Sequence, residues 1–452
     1  MQSIIEPIVV NISLANAAVA QTNFGLALLL DTKAPLYFAN LLSGESGLNW
    51  KAKAAGPVFI NIVYVVSGNN TALSVALTGL GTSESPYLIT VNLATNGGGV
   101  ATSTASAVKT AAEAVAEVAA LVTIALIGTT GNVALVAVAS TPLAYERYME
   151  ILGADDLLAL GFLSSDAAYK KAQAFFEQDD APGKLAVYLL TAWSAIETEI
   201  AALRNNGFNS WYKVFGTTNT KSEIILNSNY MASIRKRYVG LTSDITILAG
   251  RNQSREILIL HSDPSNHTDA RLLGATVALE PGTFNYAYLR LSGATNSAFT
   301  NSQVSSIIED KGNLIVNFSG FQVFWKGMTT SGAWADIIDL KDWLETRLLE
   351  DVSALFLNNR KIGYTLTDVS KVESTMRTRL DSSAKAGKIA PVESDDDRTR
   401  SDMGAYQYKI DLPNSIAEIP ANEINNRNFP EIKFSARLVG AINEMDIQGV
   451  FT

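Results

Sequence analysis

Glu431-Ile432-Lys433-Phe434-Ser435-Ala436-Arg437-Leu438, near the end of the chain, sets Ile432, Phe434, Ala436 and Leu438 in alternation with Lys433, Ser435 and Arg437. A period of two is the pattern of a β-strand with one buried face. The phase shifts near Gly440 to Glu444, after which Met445, Ile447, Gly449 and Phe451 share one side while Asp446 and Gln448 take the other. The chain opens in the same way: after Glu6-Pro7, the residues Val10, Ile12 and Leu14 alternate with Asn11 and Ser13. Strands at both extremes present unpaired N–H and C=O groups, and such edges are commonly filled by another chain. Val10, Ile12, Leu14, Ile432, Phe434, Ala436, Leu438, Met445, Ile447 and Phe451 are therefore the candidate subunit-interface residues, on an N-terminal arm at 1–22 and a C-terminal arm at 431–452. Pairing of both ends within their own subunit satisfies the same pattern.

Working outward, the 452 residues favour about three domains. A hydrophobic share of 47% and a mean hydropathy of +0.13 supply enough apolar surface for sizeable cores. The chain has no cysteine, which excludes disulfides, cysteine metal sites and thiolate nucleophiles and suits folding in a reducing cytoplasm. A net charge of −9 with a pI near 5.0 argues against nucleic acid, whose phosphates need a concentrated basic surface, and against anionic membranes. Ala18-Val19-Ala20-Gln21 has the look of a signal-peptidase site, but Glu6, Pro7 and Asn11 precede it with no basic residue and no clean apolar run. The most apolar stretch, Val118 to Ile127, is too short to span a bilayer. The expectation is a soluble protein without a targeting segment or direct membrane binding.

Charge is distributed unevenly. The first 145 residues hold about ten charged side chains, a contrast that predicts a boundary near Tyr145. Val58 to Val66, Ala72 to Leu77, Tyr87 to Leu93, Val122 to Ile127 and Val133 to Ala139 read as strands, with one Ala-rich helix after Ser103-Thr104. From Glu146 to Trp325 helices and strands alternate: helices at Asp166 to Gln178, Ala195 to Arg204, Ile224 to Arg237, Asp269 to Ala278 and Ser302 to Asp310, with strands at Leu185 to Leu190, Trp211 to Phe215, Ile245 to Ala249, Glu256 to Leu260, Tyr286 to Leu291 and Leu314 to Trp325. Such alternation predicts an α/β layer with a mainly parallel sheet. Two long helices follow, Ile338 to Leu357 and Asp368 to Ala384, then a strand through Tyr406, Tyr408, Ile410 and Leu412. The predicted class is a multidomain α+β and α/β protein: an N-terminal arm (1–22), the first part of the core (23–53), an inserted β-rich module (54–145), a central α/β domain (146–326), a C-terminal α+β domain (327–430) and the C-terminal arm.

Signals for chemistry are poor. The two histidines lie in His261-Ser262-Asp263-Pro264-Ser265-Asn266-His267, too few ligands for a metal, and a loop with a helix start at Thr268-Asp269 is the better account. Asp395 to Asp397 lack EF-hand spacing and are followed by Arg398 and Arg400, which suits a solvated loop. Gly79-x-Gly81 is followed by Glu84 where a dinucleotide fingerprint has glycine, and Gly183-Lys184 is followed by Leu185 where a P-loop has Ser or Thr. Gly97-Gly98-Gly99 suits a tight turn better than an anion cradle, and Gly44-Glu45-Ser46-Gly47-Leu48 lacks the second spaced glycine of a nucleophile elbow. No catalytic, cofactor-binding or metal residue is nominated, and a non-enzymatic protein is the expectation.

Two stretches resemble a known family. Gly312-Asn313 and the strand after it, Gly327, Gly332, Asp339-Leu340-Lys341-Asp342-Trp343-Leu344, Arg360-Lys361-Ile362-Gly363-Tyr364-Thr365 and Gly387-Lys388-Ile389 look like the C-terminal region of bacteriophage contractile tail sheath proteins. Leu438-Val439-Gly440-Ala441-Ile442 and Met445-Asp446-Ile447-Gln448-Gly449 are similar to that family's final strands. Upstream, Tyr87 to Ala94, Ser103-Thr104-Ala105, Leu121-Val122 and Gly128 to Gly131 resemble a β-rich module inserted in many phage virion proteins, and Leu160-Gly161-Phe162, Ala168-Tyr169 and Ala172 to Phe176 also match the sheath pattern. The chain departs from many members in lacking large outer decorative domains. The resemblance implies hexameric rings stacked helically around a tail tube, arms that add strands to neighbouring subunits, and contraction that drives the tube through the host envelope. It implies as partners other copies of the chain, the tube protein, and baseplate and tail terminator proteins, with no cofactor, in a virion assembled in the host cytoplasm. A baseplate or tube protein, and an α/β enzyme with a β-rich binding module, are the alternatives.

Overall fold

Leu185–Leu189, Trp211–Gly216, Arg237–Thr242 and Glu256–Leu260 are buried at every position, which is how strands look when both faces of a sheet are covered. A computed structural model describes residues 8–10, 23–33, 36–43, 46–55, 58–128, 131–145, 147–392, 406–412, 415, 418–427 and 432–441. In it these strands and Asn23–Asp31 are five successive strands of a six-stranded sheet, in the order Leu185–Leu189, Asn23–Asp31, Trp211–Gly216, Arg237–Thr242, Glu256–Leu260. The last four run parallel, as the alternation of helices and strands predicts. The chain divides into two units, the first made of Met1–Leu30, Lys171–Ala186 and Trp193–Thr452, the second of Asp31–Lys170 and Val187–Ala192.

In the first unit, local signals place the helices that cover the sheet. Ile196–Asn205 carries Glu197 and Glu199 in its first turn and Arg204 in its last, matching the helix dipole. Asn301–Glu309 starts with a reciprocal capping box between Thr300 and Gln303. Thr268–Thr276 passes so close to the end of Ala167–Phe176 that a Cβ on Gly274 would sit 2.1 Å from the Phe175 carbonyl oxygen. Two long helices, Ala335–Asn358 and Leu366–Lys385, pack together; the second begins where the Thr365 hydroxyl accepts the Asp368 N–H and the Asp368 carboxylate accepts the Gly363 N–H.

Four expectations differ in this unit. The helix predicted through Arg237 is Lys221–Ser233, and Arg237 opens a buried strand. Ile245–Leu248 is a 3₁₀ turn, because the Asp244 carboxylate caps the Thr246 N–H. Tyr286 to Leu291 has no strand, and Tyr288 takes a left-handed backbone, φ +65°. Leu314 to Trp325 is a hairpin of Leu314–Phe318 and Phe321–Trp325, turned by Ser319 and Gly320 with φ of +50° and +89°.

The second unit holds two small sheets. Ile60–Val66 pairs in parallel with Tyr87–Leu93, flanked by Ser74–Thr78 and Val138–Pro142, and Leu36–Ser43, Ser46–Ala55 and Val122–Ile127 form an antiparallel triple. The Ala-rich segment is two short helices, Ala105–Glu113 and Ala116–Leu121, that turn Val108, Ala112 and Val118 into the core. Trp50 is fully buried there, its indole N–H donating to the Tyr64 hydroxyl at 2.8 Å. The last strand begins at Val138, later than the alternation from Val133 predicts.

Candidate subunit interface

The alternation at 432–436 does make a strand, and that strand is central. Ile432–Ala436 lies between Ile8–Val10 and Tyr408–Asp411, antiparallel to both. Ile8 stands opposite Phe434 and Val10 opposite Ile432, while Ile410 stands opposite Phe434 from the other side. Ile432, Phe434 and Ala436 turn inward together and are buried with Leu340, Leu344 and Leu348 of one long helix and Val372, Met376 and Leu380 of the other. Leu438 continues the pairing through a bridge to Ile389, with the Ala390 N–H donating to the Arg437 carbonyl at 2.8 Å.

Of the two readings of the chain ends, pairing within the subunit is the one that describes 432–438 in this single chain. The partners were hidden by distance along the sequence, one more than twenty residues upstream and the other at the opposite end of the chain. Val10 sits in the outer strand Ile8–Val10; Ile12, Leu14, Met445, Ile447 and Phe451 lie outside the described residues.

Among the described residues, Ile8–Val10 and Tyr408–Asp411 are the sheet's two edges. Ile8–Val10 holds on through three register pairs. Tyr408–Asp411 is better anchored, since the Tyr408 hydroxyl donates to Asp381 at 2.5 Å and Arg377 lies over its ring at 5.7 Å. Burial, reinforced by Asp381, pushes the Tyr408 phenol up to about 12.

Beneath the first long helix lies a cluster of charges that sequence reading missed. Asp339, fully buried, accepts Arg237 Nε at 2.8 Å and the Tyr286 hydroxyl at 2.6 Å, with Lys213 Nζ at 3.5 Å. One turn on, Asp342 accepts Arg255 through two bonds of 2.7 and 2.6 Å and the Tyr212 hydroxyl at 2.7 Å. Burial alone would raise the Asp339 carboxyl, but Arg237, Lys213 and the Tyr286 hydroxyl outweigh it and hold it below the usual range. Arg237 and Lys213 come from sheet strands and the two aspartates from the helix carrying the terminal sheet, so the cluster locks that helix to the α/β layer.

The His261 ring is 2.9 Å from the Thr295 carbonyl through Nε2 and accepts the Asp263 N–H at 3.0 Å through Nδ1. A cavity of about 410 Å³ opens beside Asp351, Ala354, Thr375 and Arg379, where Arg379 and Asp351 are joined by bonds of 2.6 and 2.8 Å. No described helix is long and apolar enough to cross a membrane.

Compared with solved structures, the chain aligns with a chain of the six-fold symmetrised cryo-EM structure of the anti-feeding prophage (AFP) baseplate at a TM-score of 0.53 and 14% identity, covering 68% of this chain and 88% of that one. Over the aligned part, the chain has the fold of that chain. It also matches the sheath tail proteins of Desulfitobacterium hafniense and Listeria innocua at TM-scores of 0.39, with 12% and 11% identity; the first match covers 84% of this chain and 75% of that one, the second 85% and 76%. No family model matches the sequence, and no curated protein matches it. At these identities the likeness is one of fold, a mixed α/β multidomain architecture shared with the baseplate chain.

Proposed function

We propose that this chain is a non-enzymatic structural subunit of a contractile phage-type tail: a sheath protein that stacks as hexameric rings around the tail tube and contracts to drive the tube through the host envelope. The terminal sheet carries the proposal. An end of the chain is its outer strand, attached through three register pairs, which in an antiparallel ladder carry two or four hydrogen bonds, about 2–4 kcal/mol at roughly 1 kcal/mol net each. Residues 11–22 separate that strand from Asn23, a length that reaches about 40 Å when extended. The strand at Ile8–Val10 can thus be given to the sheet of another copy as readily as to its own, and identical exchange between identical subunits makes a mesh without new contacts. Val10, Ile12 and Leu14 at one end, and Met445, Ile447 and Phe451 at the other, are the proposed donors; Ile432, Phe434, Ala436 and Leu438 build the sheet that receives them.

In this role the chain works in a virion, with other copies, a tube protein, and baseplate and terminator proteins as partners. The fold shared with a prophage baseplate chain supports the setting and also favours a second reading, a baseplate component. Electron microscopy of the full chain and of a deletion of residues 1–22 tests the proposal. Wide hollow tubes from the full chain, and dispersed subunits with unchanged circular dichroism from the deletion, are expected; tubes of normal diameter from the deletion would refute the arm's role.

A further inference from the structure

The hairpin Leu314–Trp325 ends in an aromatic tip. Its positive-φ turn sets Phe318 directly opposite Phe321, and every residue from Asn317 to Gln322 is exposed, each phenylalanine at 51%. The base is fixed: Ile315, Val323 and Phe324 are buried, and the Tyr288 N–H and Phe324 carbonyl join at 2.9 Å. Tyr288 meets Phe318 edge-on at 5.4 Å and Trp325 at 5.0 Å. The Arg290 guanidinium lies 3.9 Å from the Phe321 centroid and the Lys326 ammonium 5.8 Å from that of Trp325.

Scattered exposed apolar residues need no explanation. Two opposed phenylalanines, braced by a tyrosine and an arginine on a stiff hairpin, are different, because ordered aromatics with arginine are what energetic centres of interfaces are made of. We propose that this tip is a docking knob for an acidic surface on a second copy of the chain. The chain's net charge of −9 gives a facing copy a surplus of carboxylates to meet Arg290. Tip-to-tip contact would instead set Arg290 against its twin, so the knob meets a different patch of its neighbour. Such a heterologous contact propagates into rings or helices instead of closing a dimer. This rests on the polymeric reading above, and assigns it a body-to-body contact separate from the arms.

The test places the photo-crosslinker p-benzoylphenylalanine at Phe318 of the full chain, with a control at Leu80, exposed at 75% in the second unit. Irradiation should give covalent dimers from position 318 in clear excess over the control, joined to an acidic segment outside 288–326. Arg290→Glu should lower that yield about tenfold. Yield at 318 no higher than at Leu80, tip-to-tip products, or indifference to Arg290→Glu would each overturn the knob. Tubes by electron microscopy without the crosslink would sink the knob and leave the polymer standing; the crosslink without tubes would do the reverse.

Discussion

Replacing Asp339 with alanine removes the carboxylate on which Arg237, Lys213 and Tyr286 converge. Arg237 would keep the Ala335 carbonyl at 3.1 Å and that of Ser254 at 3.4 Å, but its buried charge would lose the one carboxylate bonded to it directly. Breaking one side of a buried pair costs about 3–5 kcal/mol, a large share of the 5–15 kcal/mol that typically holds a domain together. Asp339→Asn keeps the shape and part of the hydrogen bonding and should cost less. Urea unfolding followed by tryptophan fluorescence reads both effects, since Trp211 and Trp343 report on the first unit and Trp50 on the second. The transition of the first unit should move and that of the second stay. Because the Asp339 carboxyl is held below its usual range, its contribution is complete above the unfolded value near 4 and fades as pH falls through the folded one. The first unit of the wild type should thus lose stability in acid more steeply than that of Asp339→Asn. An unchanged midpoint in Asp339→Ala would refute the lock.

Three further outcomes follow from the same packing. Burial raises the Asp336 carboxyl to about 6, so its ionisation costs stability that accrues from about pH 4 to about pH 6 and is complete above; Asp336→Asn should stabilise the first unit by about 3 kcal/mol at pH 7 and by little at pH 4, read from urea midpoints at the two values. Phe434→Ala should destabilise by about 3–5 kcal/mol because the ring is buried, whereas Phe321→Ala at the exposed tip should stay within about 0.5 kcal/mol by the same titration. Gly274→Ala should lower the melting temperature in calorimetry, because the new methyl would meet the Phe175 carbonyl.

Period and capping made most elements legible. Tyr87–Leu93 and Val122–Ile127 appear where the alternation places them, and the two long helices are found with ends shifted by a few residues. Arg237 defeated the reading, because a charged residue argues against a buried strand unless its partner is known, whereas the strand around Lys213 is found where it was expected. That partner, Asp339, lies 102 residues beyond Arg237. The Ser319-Gly320 pair inside an apolar run is the sequence signal of the turn that divides the expected long strand in two. At the candidate interface the strand was legible and its partners were not, since alternation records which face is buried and says nothing of which strand lies alongside. The dimensions of the terminal sheet belong to contacts between Val10 and Ile432, more than four hundred residues apart.

Strand exchange between copies is the central claim, and a chain without cysteine allows it to be tested directly. Val9 and Lys433 stand opposite each other in the register of the terminal sheet, within the Cα separation a disulfide can bridge. A chain carrying both Val9→Cys and Lys433→Cys, oxidised at assembling concentration and run on a non-reducing denaturing gel, separates the two arrangements. A ladder of covalent oligomers is the expected result, each rung a strand from one copy closed onto the sheet of the next. Quantitative disulfide formation that leaves only single chains would show that the strand stays at home, and would contradict the account.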